Sequence, residues 1–174
     1  EKYVLCNCEE GDPGAFNDKN ILESDPNTLV EGVIIAGYAT GATKGYIFIR
    51  HGHTGPIERC RTAVEQAREL GFLGKNIMGS GFSYDIEVSL TGDSYVAGEE
   101  SALMEAIEGK RAMPRFRPPF PAQVGLFGKP SKILPSESRS TPKAKSESLR
   151  SPVRSPVPDC LVHCLVPLEL YFKR

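Results

Sequence analysis

At 174 residues the chain is about one domain long, and its 21 Lys+Arg offset 22 Asp+Glu to a net charge of -1. That near-neutrality argues against nucleic acid as an obligatory partner, which a clear basic excess would mark. The sequence has no run of about 18 or more apolar residues, the length that a membrane-crossing helix requires. No direct membrane insertion is therefore expected. The first residues, Glu1-Lys2-Tyr3-Val4, carry neither a signal-peptide pattern nor a starting Met, so the chain is expected to begin inside a longer protein.

Lys2-Tyr3-Val4-Leu5-Cys6 is short, apolar and β-prone, and reads as a buried strand. It leads into Asn7-Cys8-Glu9-Glu10-Gly11-Asp12-Pro13-Gly14, which carries turn signals throughout and reads as a loop. Asp25-Pro26 has the form of an N-cap followed by Pro at the first helical position. The helix it opens carries Leu29, Val30, Val33, Ile34, Ile35 and Tyr38 over a wide arc and should be well buried, with Gly41 ending it. Gly45-Tyr46-Ile47-Phe48-Ile49-Arg50 is the clearest strand. After a loop at 51–56, Ile57, Cys60, Val64 and Ala67 mark a second, amphipathic helix. A Gly-rich stretch at 71–81 precedes the alternating strand Tyr84-Asp85-Ile86-Glu87-Val88-Ser89-Leu90. Gly98-Glu99-Glu100-Ser101 opens a third helix, and residues 114–130 are extended and Pro-rich. Strands alternating with helices at this spacing predict an α/β fold, an open sheet with helices packed on it.

Composition breaks near residue 131. All 17 glycines precede residue 132, and the remainder is Ser/Pro-rich with Lys and Arg in excess. Such a segment buries too little apolar surface to offset chain entropy, so 1–131 is expected to be the globular domain and 132–174 a low-complexity, largely disordered tail. The five cysteines, Cys6, Cys8, Cys60, Cys160 and Cys164, form no regular framework. Cys6 and Cys8 would share a face if the strand continued. The simplest account of the cysteines is small buried thiols, and no metal site is expected.

Two acidic clusters are candidates for chemistry. Glu9, Glu10 and Asp12 follow the carboxyl end of a strand, where open α/β sheets place ligands. Glu99 and Glu100 stand at a helix N-terminus behind Tyr95 and Gly98. There the helix dipole alone would favour acids, by about 0.3–1 kcal/mol each. The functional account is that they accept hydrogen bonds from a ligand while glycines let it approach the backbone. Arg115, Arg117 and Phe120 could hold a phosphate and stack a base, or Phe120 could simply plug the core. His51 and His53 read as ordinary surface histidines. Gly79-Ser80-Gly81 is too small a part of a dinucleotide fingerprint to use.

Several blocks in order carry a family resemblance: Asn7-Cys8-Glu9-Glu10-Gly11-Asp12-Pro13-Gly14-Ala15-Phe16, Glu31-Gly32-Val33-Ile34-Ile35-Ala36-Gly37-Tyr38, Gly45-Tyr46-Ile47, Leu73-Gly74-Lys75-Asn76-Ile77, Gly98-Glu99-Glu100-Ser101-Ala102-Leu103 and Pro118-Pro119-Phe120-Pro121. Together they resemble the flavoprotein subunit of respiratory complex I, the NADH-quinone oxidoreductase, a module shared with NAD(P)-linked hydrogenases and formate dehydrogenases. The resemblance implies a Rossmann-like FMN-binding domain in which NADH passes a hydride directly to the flavin, with no catalytic side chain, before electrons move to iron–sulfur centres. By motif, Asn7, Glu9, Glu10, Tyr95, Gly98 and Glu99 would line the FMN site. Asp12, Glu100, Arg117 and Phe120 would lie on the NADH side, with Phe120 on the adenine. Glu9 replaces the family's usual Asp, Asp12 a common Glu and Arg117 a frequent Lys.

The implied partners are NADH and the other subunits of an oxidoreductase, including one that carries iron–sulfur centres, on the cytoplasmic side of the inner membrane. Three family features are missing. The Gly-rich basic loop that cradles the FMN phosphate should precede residue 1. Leu134-Pro135 stands in place of an Asn-Asn pair. Cysteines spaced for the family's 4Fe-4S cluster are absent, since Cys160 and Cys164 are wrongly spaced. Family-like sequence stops at Pro130-Ser131, as a frameshift or an assembly junction would produce. The contrasting expectation is an inactive, truncated fragment that folds partly and binds no flavin.

Overall fold

The computed structural model describes residues 1–91 and 94–135. Four parallel strands, β1 (Tyr3–Cys8), β2 (Lys44–Arg50), β3 (Asp85–Thr91) and β4 (Ser131–Pro135), form one sheet in the order β3-β2-β1-β4. The helices are α1 (Asn17–Ser24), α2 (Pro26–Thr40), α3 (Thr54–Glu69) and α4 (Glu100–Ile107).

Alternate residues of the central strands feed two cores, one on each face of the sheet. Val4, Cys6 and Cys8 of β1 and Ile47 and Ile49 of β2 join Leu22, Val33, Cys60 and Val64 under α1, α2 and α3. Leu5, Tyr46 and Phe48 point the other way, to Leu103 and Met104 of α4 and to Leu126. From β1 the chain steps outward to β2 and β3, then returns by α4 to place β4 on the other side of β1. The strand order therefore reverses between β1 and β4. At such a reversal the connections diverge and leave a crevice at the carboxyl ends of the strands.

The predicted open α/β sheet is present, with three differences in detail. β1 runs on through Asn7 and Cys8, which the turn signals assign to the loop, because both pair with β2. Cys6 and Cys8 thus share a buried face, with their sulfurs 3.8 Å apart. Helix α1 carries no local start signal. Its first amides are capped by Glu10, eight or nine residues away in sequence, so no cap residue stands just before it. The third difference is β4, which crosses the expected boundary at residue 131: Lys132, Ile133, Leu134 and Pro135 pair in register with Val4, Leu5, Cys6 and Asn7. From residue 136 onward, the expected disordered tail lies outside the described residues, as do Cys160 and Cys164.

The other helix signals are borne out. The Asp25 carboxylate accepts from Thr28 N at 3.2 Å and from the Thr28 hydroxyl at 2.6 Å, and Pro26 opens α2. Gly41 closes α2 in the left-handed conformation, at φ 64°. No helix among the described residues is long and apolar enough to cross a membrane.

Candidate functional site: an acidic crevice at the strand reversal

The crevice is built from the end of β1, the end of β2 and the turn that leads into α4. Asn7, near the end of β1, donates its side-chain amide to Gly98 O at 2.7 Å. Its side-chain oxygen accepts from Glu9 N at 3.2 Å. One side chain thereby fixes both the acidic loop and the Tyr95–Gly98 turn. Glu9 follows, its side chain only 3% exposed, with Oε1 paired to Arg50 Nη1 at 2.7 Å. A Cβ on Gly98 would lie 3.0 Å from Glu9 Oε2, a crowding that glycine avoids.

Glu99 caps α4. Its Oε2 accepts from Ser101 N at 2.9 Å and Ala102 N at 3.0 Å, and also from the Ser101 hydroxyl. Arg117 then bridges Glu99 Oε1 at 2.6 Å and Glu100 Oε2 at 3.0 Å. Burial of Glu99 opposes its charged form, but the Ser101 hydroxyl, the Ala102 and Ser101 amides and Arg117 outweigh it and hold the carboxyl below its ordinary range.

The remaining sequence candidates are placed differently. Glu10 is buried, and its two oxygens accept from Asp18 N at 3.2 Å and Lys19 N at 3.0 Å, so its carboxylate is committed to α1. Asp12 is exposed and folds its own loop, accepting from Gly14 N at 3.0 Å. Tyr95 is largely exposed, with one ring edge against Gly11, where a Cβ would come within 2.9 Å. Phe120 is 55% exposed, which overturns the core-plugging account. Arg115 pairs with Glu105 at 3.1 Å, and its amide donates to Ser101 Oγ at 2.8 Å. A small cleft between α4 and the Pro-rich segment is lined by Ser101, Met104, Phe116, Arg117 and Val124.

In the sequence Arg50 reads only as the last residue of a strand. The signal that finds it is register. In a parallel pair that aligns Cys8 with Ile49, the next residues, Glu9 and Arg50, emerge side by side. Cys6, Cys8 and Cys60 are free, buried thiols. The Cys6 contact and burial raise Cys8, and burial pushes Cys60 up to about 12. Such thiols are inert packing groups. Burial and the nearby Lys19 lower His53. Among the described residues, no cluster of three or more His, Cys, Asp or Glu could hold a metal ion.

An open parallel sheet with acid acceptors and bare glycines at its strand reversal is the arrangement of a nucleotide-cofactor-binding α/β domain. Comparison with known proteins narrows that class: the chain belongs to the Nuo51 FMN-binding domain family of complex I, matching it over residues 1–133. It is 48% identical over 132 residues to the F subunit of NADH-quinone oxidoreductase of Aquifex aeolicus (strain VF5), covering 76% of this chain and 31% of that protein. It is 49% identical over 131 residues to the HndC subunit of the NADP-reducing hydrogenase of Solidesulfovibrio fructosivorans, covering 75% and 26%. The crystal structure of an NAD+-reducing NiFe-hydrogenase in the H2-reduced state superposes with a TM-score of 0.69 at 34% identity, over 79% of this chain and 23% of that one. The chain thus spans less than a third of the length of these relatives. The family match continues two residues past the expected break at 131, into β4.

FMN is the cofactor of this family's domain. The residues present suit its hydroxyl-bearing chain and the N–H edge of its ring. Gly98 offers bare backbone over the enclosed Glu9, and the partly exposed carboxylates of Glu99 and Glu100 offer acceptor oxygens.

Proposed function

We propose that this chain is the part of an NADH-oxidising flavoprotein that holds FMN and receives NADH beside it. The observation that carries this reading is the convergence of Asn7, Glu9, Gly98 and Glu99 on one crevice in a chain of the FMN-binding family. We assign Asn7, Glu9, Glu10, Tyr95, Gly98 and Glu99 to FMN, and Asp12, Glu100, Arg117 and Phe120 to NADH. Glu10 serves indirectly, by tying the acidic loop to the start of α1.

When bound, FMN supplies a ring that accepts a hydride and passes electrons singly to iron–sulfur centres of the larger enzyme. The chain's own task is to orient two rings face to face, which asks for placement and no general base. Asn7 ties the acidic loop to the Tyr95–Gly98 turn, Arg117 keeps Glu99 and Glu100 together, and Phe120 offers an exposed aromatic face to the adenine. In this reading the parent enzyme is an NADH:acceptor oxidoreductase assembled from several subunits, at the cytoplasmic side of the membrane that carries its partners.

Flavin fluorescence tests the proposal. Titration of FMN with the chain should quench emission to saturation, Glu9→Lys should abolish the quenching, and NADH should bleach the bound flavin's visible absorbance. Unquenched emission at millimolar chain concentration would overturn it.

A further inference from the structure

We infer that Arg50 is a positioning residue for the flavin crevice: by taking Oε1 of Glu9, it fixes the enclosed carboxylate against which Gly98 packs, and so sets the bare Gly98 backbone that a ligand meets. The inference rests on the FMN reading above and adds to it a residue that touches no ligand itself.

The geometry is specific. Arg50 is the last residue of β2, and parallel register with β1 brings it beside Glu9. Its guanidinium lies 2.7 Å from Oε1, with side-chain exposures of 22% for Arg50 and 3% for Glu9. A carboxylate so enclosed is costly without a partner, and a charge-assisted bond to a planar guanidinium fixes its rotation as well as its charge. Gly11 makes the pairing possible. A Cβ there would come within 2.9 Å of both Arg50 Nη1 and Tyr95 Cδ2, and within 3.2 Å of Glu9 Oε1. Three side chains, from the end of β1, the end of β2 and the Tyr95–Gly98 turn, therefore meet over one bare backbone position. On the far side of Glu9, Gly98 is the other bare position, and it faces Oε2. Arg50 and Gly11 thus adjoin one oxygen of the carboxylate, and Gly98 packs against the other.

The test is FMN titration of the chain and of Arg50→Lys, Arg50→Gln, Glu9→Gln and the Arg50→Gln/Glu9→Gln double variant. Amide NMR spectra of each, recorded without flavin, accompany the titrations. Arg50→Gln should weaken FMN about tenfold, the scale on which losing a partner that orients a ligand-holding group acts. Arg50→Lys should keep most of the affinity, and the double variant should bind no more weakly than Glu9→Gln alone. In the flavin-free spectra, Arg50→Gln and Glu9→Gln should displace the same two resonances, Gly11 and Gly98. Unchanged affinity in Arg50→Gln, or losses in the double variant that simply add, would overturn the inference. If the unaltered chain takes up no FMN, it is the FMN reading that fails, and the spectra then decide the clamp. An unmoved Gly98 resonance in Arg50→Gln overturns it, and a displaced one upholds it.

Discussion

The hydroxyl oxygen of Tyr84 fills the space that a side chain at Gly45 would need, since a Cβ there would lie 2.3 Å from it. Gly37 of α2 also makes room for the ring, with a Cβ position 2.5 Å from Cζ. The hydroxyl end of the ring thus lies against both α2 and β2, and the ring, 1% exposed, stacks on Phe82 at 5.6 Å. Its hydroxyl has no hydrogen-bond partner among the described residues, and burial raises its pKa.

Gly45→Ala should therefore destabilise the chain by roughly 1–3 kcal/mol, the cost of overpacking where neighbours cannot retreat. Tyr84→Phe should leave stability unchanged or raise it, because it removes a buried polar atom that gains nothing. Urea midpoints measured for both variants check the pair. A clear loss in Tyr84→Phe would mean that the hydroxyl is satisfied after all.

Glu99 gives a pH prediction. Its carboxyl titrates below the ordinary value in the folded chain, so its contribution is fully present above the unfolded pKa and lost as pH falls through the folded one. Near neutrality Glu99→Ala should cost about 0.5–2 kcal/mol, as for other lost N-caps. Glu99→Gln keeps one acceptor but loses the charge that faces Arg117. The stability gap between wild type and Glu99→Gln should therefore shrink as pH falls below the carboxylate range. A gap that stays constant down to the acid transition would show that the charge is not what stabilises the cap.

The buried thiols make a third prediction. With Cys60 pushed up to about 12 and fully buried, native chain at mildly alkaline pH should resist alkylation at Cys6, Cys8 and Cys60. All three should react once urea unfolds the chain. Peptide mapping reads this directly, and rapid native labelling of Cys60 would contradict the packing under α3.

Legibility in the sequence follows the range of each interaction. α2 is visible end to end, since Asp25, Pro26 and Gly41 act within a turn of the residues they cap. β2 is visible because a run buried on both faces needs apolar residues throughout. α1 is hidden because Glu10 caps it from outside the local window. β4 escapes because a short edge strand after a Pro-rich segment has no periodicity of its own, and only its pairing with β1 defines it. In the crevice, the acids and glycines can be singled out as types in a loop, whereas the Arg50–Glu9 pair depends on strand register. The separate fates of Glu9 and Glu10, neighbours in sequence, are equally unreadable. One faces Arg50 and Gly98, and the other turns to α1.

The last prediction concerns the NADH side, and the assembled, FMN-loaded enzyme is the place to measure it. Phe120 is more than half exposed, so Phe120→Ala should leave melting nearly unchanged, within about 0.5 kcal/mol, instead of the roughly 3–5 kcal/mol of a lost core aromatic. If its ring stacks on the adenine, the variant loses binding that ground state and transition state share, and KM should rise more than kcat falls. Glu100→Gln differs, because it removes one of the two carboxylates that Arg117 bridges, the one 3.0 Å away, which we assign to the nicotinamide end of NADH. Arg117 should then swing wholly to Glu99, the orientation of the nicotinamide end should loosen, and kcat should fall along with affinity. Both variants should keep their flavin, which the visible spectrum checks independently of turnover. Unchanged NADH oxidation in both, with FMN still bound, would place the NADH site elsewhere. A fall in melting temperature for Phe120→Ala in step with its KM would instead return the residue to a structural role.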